Sequence, residues 1–243
     1  MNAILQSLRD RKSVRAYDAR PVEPEVKRAI LEAALQAPTA GNMTLYTIID
    51  VTDQRLKETL AVTCDDQPFI ARAPLVLVFC ADYSRWFAAF AADCPETRRP
   101  SHGDFLLACC DALIAAQNAV VAAEALGLGS VYIGDIMERY ETHRELLGLP
   151  RYVVPVTMLC FGYPTEQQRR RQKPPRFRVE DIVCENRYQP RDIRRMVAAR
   201  QGIEDEEELR RWFDVFRRRK WDSDFSSEMS RSVREMLADW TGE

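Results

Sequence analysis

The sequence carries no surplus of either charge: 35 basic residues stand against 37 acidic ones, a net charge of -2. A balance of this kind gives no general attraction to nucleic acid or to an anionic membrane surface. The seven cysteines, at positions 64, 80, 94, 109, 110, 160 and 184, form no C-x-x-C pair. Only His102 and His143 could join them as imidazole ligands. Neither a disulfide framework nor a zinc site is expected; reduced thiols in a cytoplasmic protein are. The opening stretch MNAILQSLRDRKSVR lacks the apolar core of a secretory signal. The main apolar stretch, residues 104–127, is broken by Asp104, Asp111, Gln117, Asn118 and Glu124, so it lacks the uninterrupted span that a bilayer asks for. No internal repeat is visible.

What is present suffices for a real core. The chain has 243 residues, 46% hydrophobic and 30% charged, which fits one large domain or two small ones. Residues 104–126 are apolar round nearly the whole helical circumference, the pattern of a helix buried on all sides. Sheet would cover one side, and possible neighbours for the other include a second subunit. Ala115, Ala116, Ala119, Ala122 and Ala123 would let another backbone come close. The remaining periodicities predict helices over residues 2–10, 24–36 and 138–147, with a helical turn or more over 57–62. They predict strands over 45–51, 75–81, 130–134 and 153–161, the second and fourth buried on both faces. Strands separated by helical segments point to an α/β or α+β domain with one main sheet. Residues 82–103, aromatic and then polar with prolines, read as a mobile excursion that helps wall a pocket. Past Pro190 the chain is charged, helical and strand-free. Its apolar stripes are Leu209, Trp212, Phe213 and Phe216, then Phe225, Met229, Val233, Leu237 and Trp240. The expected division is a main domain over 1–190 and a helical extension over 191–243, packed on that domain or on a partner subunit.

Several small groups of residues carry possible chemistry. Arg11, Ser13 and Arg15 alternate, so an extended chain puts two guanidinium forks and a hydroxyl on one face, which suits a phosphate. Lys173-Pro-Pro-Arg176 fixes the spacing of two cations on a stiff chain, after a strand that ends in Gly-Tyr-Pro. The loop Pro38-Thr39-Ala40-Gly41-Asn42 offers small side chains that can pack on a flat ring. Asn42 and Gln67 each carry a donor and an acceptor able to read a ring edge. Ile133-Gly134 ends a strand where backbone N–H groups could approach a ligand closely.

In order along the chain these groups form a set: R-x-S-x-R, A-P-T-A-G-N, a glycine-ended strand after a long apolar helix, L-P-x-x-x-x-P-V, F-G-Y-P and K-P-P-R. Over residues 3–190 the chain resembles the FMN-dependent nitroreductase family. Its K-P-P-R…E-N-R-Y-Q-P ending is similar to the NADPH-type nitroreductase and flavin reductase branch. The resemblance implies an α+β fold with a central, mostly antiparallel sheet flanked by helices around a long buried helix, followed here by a helical C-terminal extension. It implies a homodimer with FMN at the subunit interface. By resemblance, Arg11, Lys12, Ser13 and Arg15 hold the phosphate, ribityl chain and ring edge, with Lys173 and Arg176 completing the phosphate site. Pro38, Thr39, Ala40 and Asn42 come from the other chain beside the isoalloxazine. Gln67 bonds the ribityl chain or ring edge, and Ile133 and Gly134 turn N–H groups to the N5–O4 edge. The implied activity is ping-pong hydride transfer from NAD(P)H through FMN to a nitroaromatic, quinone or flavin acceptor, with no protein nucleophile or dedicated acid. Two alternatives stand beside it: other FMN chemistry on the same fold (reductive dehalogenation or flavin fragmentation), and a non-enzymatic flavin-binding interaction protein. Two departures bear on the acceptor: Met43-Thr44-Leu45 replaces the Gln-Pro-Trp common in the family, and Lys12 stands where some branches have histidine.

Overall fold

The two continuous apolar runs become the central strands of one sheet. The computed structural model describes residues 2–242. Its strands are β1 (Tyr46–Asp50), β2 (Leu75–Asp82), β3 (Gly129–Ile133) and β4 (Val153–Gly162). They run in the order β1-β2-β4-β3, each antiparallel to its neighbour. Every residue of β2 and β4 is buried. The β2–β4 register shifts between Phe79 and Cys80, where Pro155, which has no N–H to give the ladder, enters the pairing.

Alternation along β2 divides the core. Leu75, Leu77, Phe79 and Ala81 face one hydrophobic layer, built from α2 (Pro24–Leu35) and α6 (His102–Ala125). Val76, Val78 and Cys80 face the other, built from α3 (Gln54–Thr63) and α4 (Phe69–Arg72). A short helix, α1 (Ala3–Asp10), precedes these, and α5 (Ser84–Asp93) follows β2. After β3 come a single 3-10 turn, Gly134–Met137, and α7 (Tyr140–Leu147). α7 begins later than its periodicity suggests because Arg139 is left-handed, at φ 45°.

The start and stop of α6 are written in its flanks. The Ser101 N–H donates to the Asp104 carboxylate at 2.9 Å. At the other end Gly127 takes φ 80° and the Leu128 N–H reaches back to the Ala123 carbonyl at 2.9 Å. Among the described residues, α6 is the one helix long and apolar enough by length and mean hydropathy to cross a bilayer. Its inner face packs instead on the sheet and α2, with Asp111 buried among its alanines. The outer face is open: Leu106, Leu107, Leu113 and Ile114 are 65%, 43%, 44% and 40% exposed. Burial on all sides is therefore not reached within one chain.

Residues 82–103 are not simply an excursion. Trp86, Phe87 and Phe90 have helical spacing and lie on α5; Trp86 and Phe87 pack on the core.

The chain divides into two compact units, one running to Arg171 and resuming at Glu228, the other Gln172–Ser227. The expected line fell at 190. The charge density that suggested one extension past 190 does not register that α12 (Asp224–Thr241) returns to the first unit. There Trp240 is fully buried, edge-on to Phe105 at 5.2 Å and to Tyr152 at 5.7 Å. The buried line on α12 is Ser232, Met236 and Trp240, with Val233 beside it. α8 (Glu166–Arg170) closes the first stretch of that unit. The second unit holds α9 (Val179–Ile182), α10 (Ile193–Gln201) and α11 (Glu206–Lys220). Val197 and Leu209 are buried in it, and Trp212 stacks on Phe216 at 4.8 Å.

Candidate functional site

Alternation in the stretch 11–17 sets the candidate phosphate face. Val14 is buried, and its N–H donates to the Ser130 carbonyl at 2.9 Å. Ser13 bridges Ser130 in parallel and Tyr17 bridges Pro164. This segment is an extra edge beside β3 and the end of β4. It fits because residue 129 is glycine: a Cβ there would lie 2.4 Å from Val14 Cγ2. With Val14 turned inward, alternation sets Arg11, Ser13 and Arg15 out of step with Lys12 and Val14. Arg11 stands 5.9 Å from the Tyr132 ring of β3, and Arg15 stands 6.0 Å from the Phe69 ring of α4.

Among the described residues neither arginine forms an ion pair, whereas Arg20, Arg28, Arg98, Arg144, Arg170, Arg178, Arg194, Arg217, Arg218 and Arg231 do. The Nε of Arg11 is buried without a partner. Guanidinium groups that have no carboxylate and a buried, unfilled donor suit an anion brought by a ligand. The donor set therefore fits a phosphate monoester such as that of FMN.

The remaining candidates divide. Gln67 precedes α4, two residues from Phe69, and donates its Nε2 to the Cys64 carbonyl at 2.8 Å. That bond fixes the amide and leaves its oxygen as the acceptor. Ile133 ends β3, and the space beside Gly134 is open, with nothing within 4 Å of where a Cβ would stand. The turn that follows is braced by His143, fully buried. Its Nδ1–H donates to the Ile136 carbonyl at 2.9 Å and its Nε2 meets the Thr63 hydroxyl at 2.8 Å. Burial holds this imidazole below its ordinary pKa, so it is a neutral strut.

Lys12 lies off the arginine face. Its ammonium donates to the Arg169 carbonyl at 2.7 Å, as alternation requires of a residue beside Val14. Arg171, which the sequence motifs do not include, donates to the Ser13 carbonyl. The segment 169–171 is thereby sewn to Lys12 and Ser13. Lys173 and Arg176 belong to the second unit, where Arg176 donates to the Pro174 carbonyl at 3.0 Å.

Pro38, Thr39, Ala40 and Asn42 lie elsewhere in the first unit. Ala37, Ala40 and Met43 pack in the α6 layer, on the sheet face opposite the layer holding Phe69 and Ile133. What fixes this loop is Asp111 of α6, 3% exposed, which accepts from the Thr39 hydroxyl, the Ala40 N–H at 3.1 Å and the Leu45 N–H at 3.2 Å. Sequence reasoning named Asp111 only as a break in an apolar helix. A lone carboxylate among alanines, on an inward position, was the available sign that something polar must meet it.

The 3-10 turn also leads into an acidic corner. Glu138 is buried, with Oε1 unpartnered. Burial, and then the charges of Asp135, Asp65 and Glu228, push its pKa up to about 7. Glu228 of α12 accepts from the Arg139 N–H at 2.9 Å and pairs with Arg231 at 2.8 Å, and Arg231 also holds Glu141 at 2.7 Å. Bonding to Arg231 draws Glu228 down to about 2.

The Nitroreductase family model matches residues 8–163. The chain belongs to the nitroreductase family. It is 35% identical over 192 residues to an oxygen-insensitive NADPH nitroreductase of Salmonella typhimurium, covering 79% of this chain and 77% of that one. It is 36% identical over 194 residues to an FMN reductase [NAD(P)H] of Bacillus subtilis, with coverage of 79% and 77%. Among solved structures, nitroreductase A from Vibrio parahaemolyticus superposes with a TM-score of 0.82 at 27% identity, covering 98% of each chain. The family match ends at Tyr163, but the structural likeness continues through the helices beyond it.

Proposed function

We propose that the protein is an FMN-dependent NAD(P)H oxidoreductase that reduces nitroaromatic, quinone or flavin-type acceptors. FMN, when bound, would supply the hydride-transfer chemistry between a reduced nicotinamide and the acceptor. The chain's own residues bind and orient. Arg11 and Arg15 neutralise the phosphate and Ser13 bonds it. Gln67 offers its oxygen to the ribityl chain or ring edge. Ile133 and Gly134 present backbone N–H groups, and the absent side chain at 134 leaves room for close approach. Lys12 supports this face by tying the 11–15 edge to Arg169.

The single observation that carries the reading is the pair Arg11 and Arg15, flanking the bridge at Ser13 and without ion-pair partners among the described residues, within a chain of this family. We infer further that the active form is a homodimer. The open stripe Leu106, Leu107, Leu113 and Ile114 on α6 is the surface a second copy would cover, with Cys110 exposed among it. The loop 38–42 would then serve the flavin of that second copy, consistent with its place on the other side of the sheet. All seven cysteines are free thiols, and we assign the enzyme to a reducing, cytoplasmic compartment.

The test is anaerobic reduction. FMN-loaded protein is expected to lose its yellow colour on addition of one equivalent of NADPH or NADH and to regain it with a quinone or nitroaromatic. Protein that retains FMN but is bleached by neither nucleotide would show a flavin binder and not this enzyme.

A further inference from the structure

The link from α2 to β1 is strained. Gly41, Asn42 and Thr44 sit at φ 57°, 57° and 54°. Thr44 is β-branched, a type that rarely enters the left-handed region. Such a backbone persists only where its surroundings over-determine it, and here they do so from two sides. On the inner side stands Asp111, buried and without an ion-pair partner among the described residues. Its oxygens are filled by the Thr39 hydroxyl and by the N–H groups of Ala40 and Leu45. The Thr39 hydroxyl in turn accepts the Thr44 N–H at 2.8 Å, so the strained residue is tied to the carboxylate through one relay. On the outer side α5 takes hold: the Trp86 Nε1–H donates to the Met43 carbonyl at 2.6 Å and Arg85 donates to the Thr44 carbonyl at 3.1 Å. Gly41 and Asn42, at the tip, remain exposed.

We propose that Asp111 is a positioning residue of the flavin site. It holds the turn 39–44 in its left-handed form, so that the tip meets the flavin ring bound to a second copy of the chain. This rests on the function proposed above. Because α6 also carries the open leucine stripe, Asp111 links the surface joining two copies to the wall of the cofactor site. Replacing it with asparagine keeps the shape but turns one acceptor into a donor. That donor then faces an N–H or the Thr39 hydroxyl, and the turn loses the bonds that keep Thr44 at positive φ.

The experiment compares wild type, Asp111→Asn, Thr39→Val and Asn118→Ala. Asn118 serves as a control on the same helix; its side chain donates to the Ala33 carbonyl at 3.2 Å, away from the turn. Apoprotein is titrated with FMN, bound flavin is followed by visible circular dichroism, mass is measured by light scattering, and KM and kcat are determined with a quinone. Asp111→Asn and Thr39→Val are expected to bind FMN about tenfold more weakly, the scale of a lost bond to a charged group. They should alter the flavin dichroism and raise the acceptor KM more than they lower kcat, at unchanged mass. Asn118→Ala should keep wild-type affinity and dichroism. The proposal is overturned if both turn variants bind FMN with wild-type affinity and spectrum, or if all three variants weaken alike. Should Asp111→Asn fail to fold, Thr39→Val, which removes one hydroxyl at nearly constant volume, decides. Wild type that takes up no FMN would overturn the proposed function as well; wild type that binds beside unaffected turn variants would overturn only the role of Asp111.

Discussion

Glu138 shows what one misplaced charge does to this fold. Its pKa stands near 7 in the folded chain, against about 4.3 for an ordinary glutamate. Between those values the native state holds a proton that the unfolded chain has released. The stability this gives is complete below about 4.3 and is lost as pH rises through 7. Glu138→Gln stays neutral throughout. It is expected to raise the urea midpoint over wild type at pH 8 and to leave it unchanged at pH 4, where wild type is already protonated. Gly129 tests the edge strand in the same way. Gly129→Ala would drive a methyl to 2.4 Å from Val14 Cγ2 and 2.7 Å from its Cβ. Overpacking of this kind costs about 1–3 kcal/mol. Adding Val14→Ala removes the contacts to both γ-carbons but leaves the one to Cβ, and should return part of the loss, which a double-mutant cycle in urea would measure.

At the scale of elements, the claim to test is the open face of α6. Leu106→Glu with Leu113→Glu places two charges on a stripe that a second copy would bury, while the inner alanines stay untouched. Light scattering is expected to give a dimer for wild type and a monomer for the variant. The variant should also lose FMN, because the loop 38–42 no longer reaches a neighbour; a variant that remains dimeric would remove this face from the interface. The long helices and the two buried strands were legible in the sequence because burial on one or both faces imposes a period. β2 and β4 read as unbroken apolar runs, and α6 read as apolar round its whole girth. The same girth misled on burial, since Leu106, Leu107, Leu113 and Ile114 on its outer side are exposed in the single chain. α5 was obscured by prolines and charges after residue 93, although Trp86, Phe87 and Phe90 carry helical spacing. The alternation of Arg11, Ser13 and Arg15 about an inward Val14 was legible. The departure of Lys12 follows from that alternation, which the resemblance to the family passed over. Asp111 was visible but mute, because a hydrogen bond across 71 positions, from Ala40 to Asp111, has no local signature.

At the scale of the molecule, two compact units share one chain, and the final helix returns to the first of them. A boundary drawn from composition at 190 could not register this return, since Met236 and Trp240 pack with residues more than a hundred positions earlier, among them Phe105. The proposed anchor for the cofactor phosphate is the pair Arg11 and Arg15 of the first unit, which form no ion pair among the described residues. The most direct test is a titration of apoprotein with FMN and with riboflavin, which lacks only the phosphate, for wild type, Arg11→Ala and Arg15→Ala. Wild type is expected to prefer FMN by about a hundredfold or more. Each alanine variant should lose about tenfold or more of that preference, the scale of one charge-assisted bond to phosphate, with riboflavin affinity unchanged. Equal affinity of wild type for FMN and riboflavin, or variants that keep the full preference, would contradict the assignment.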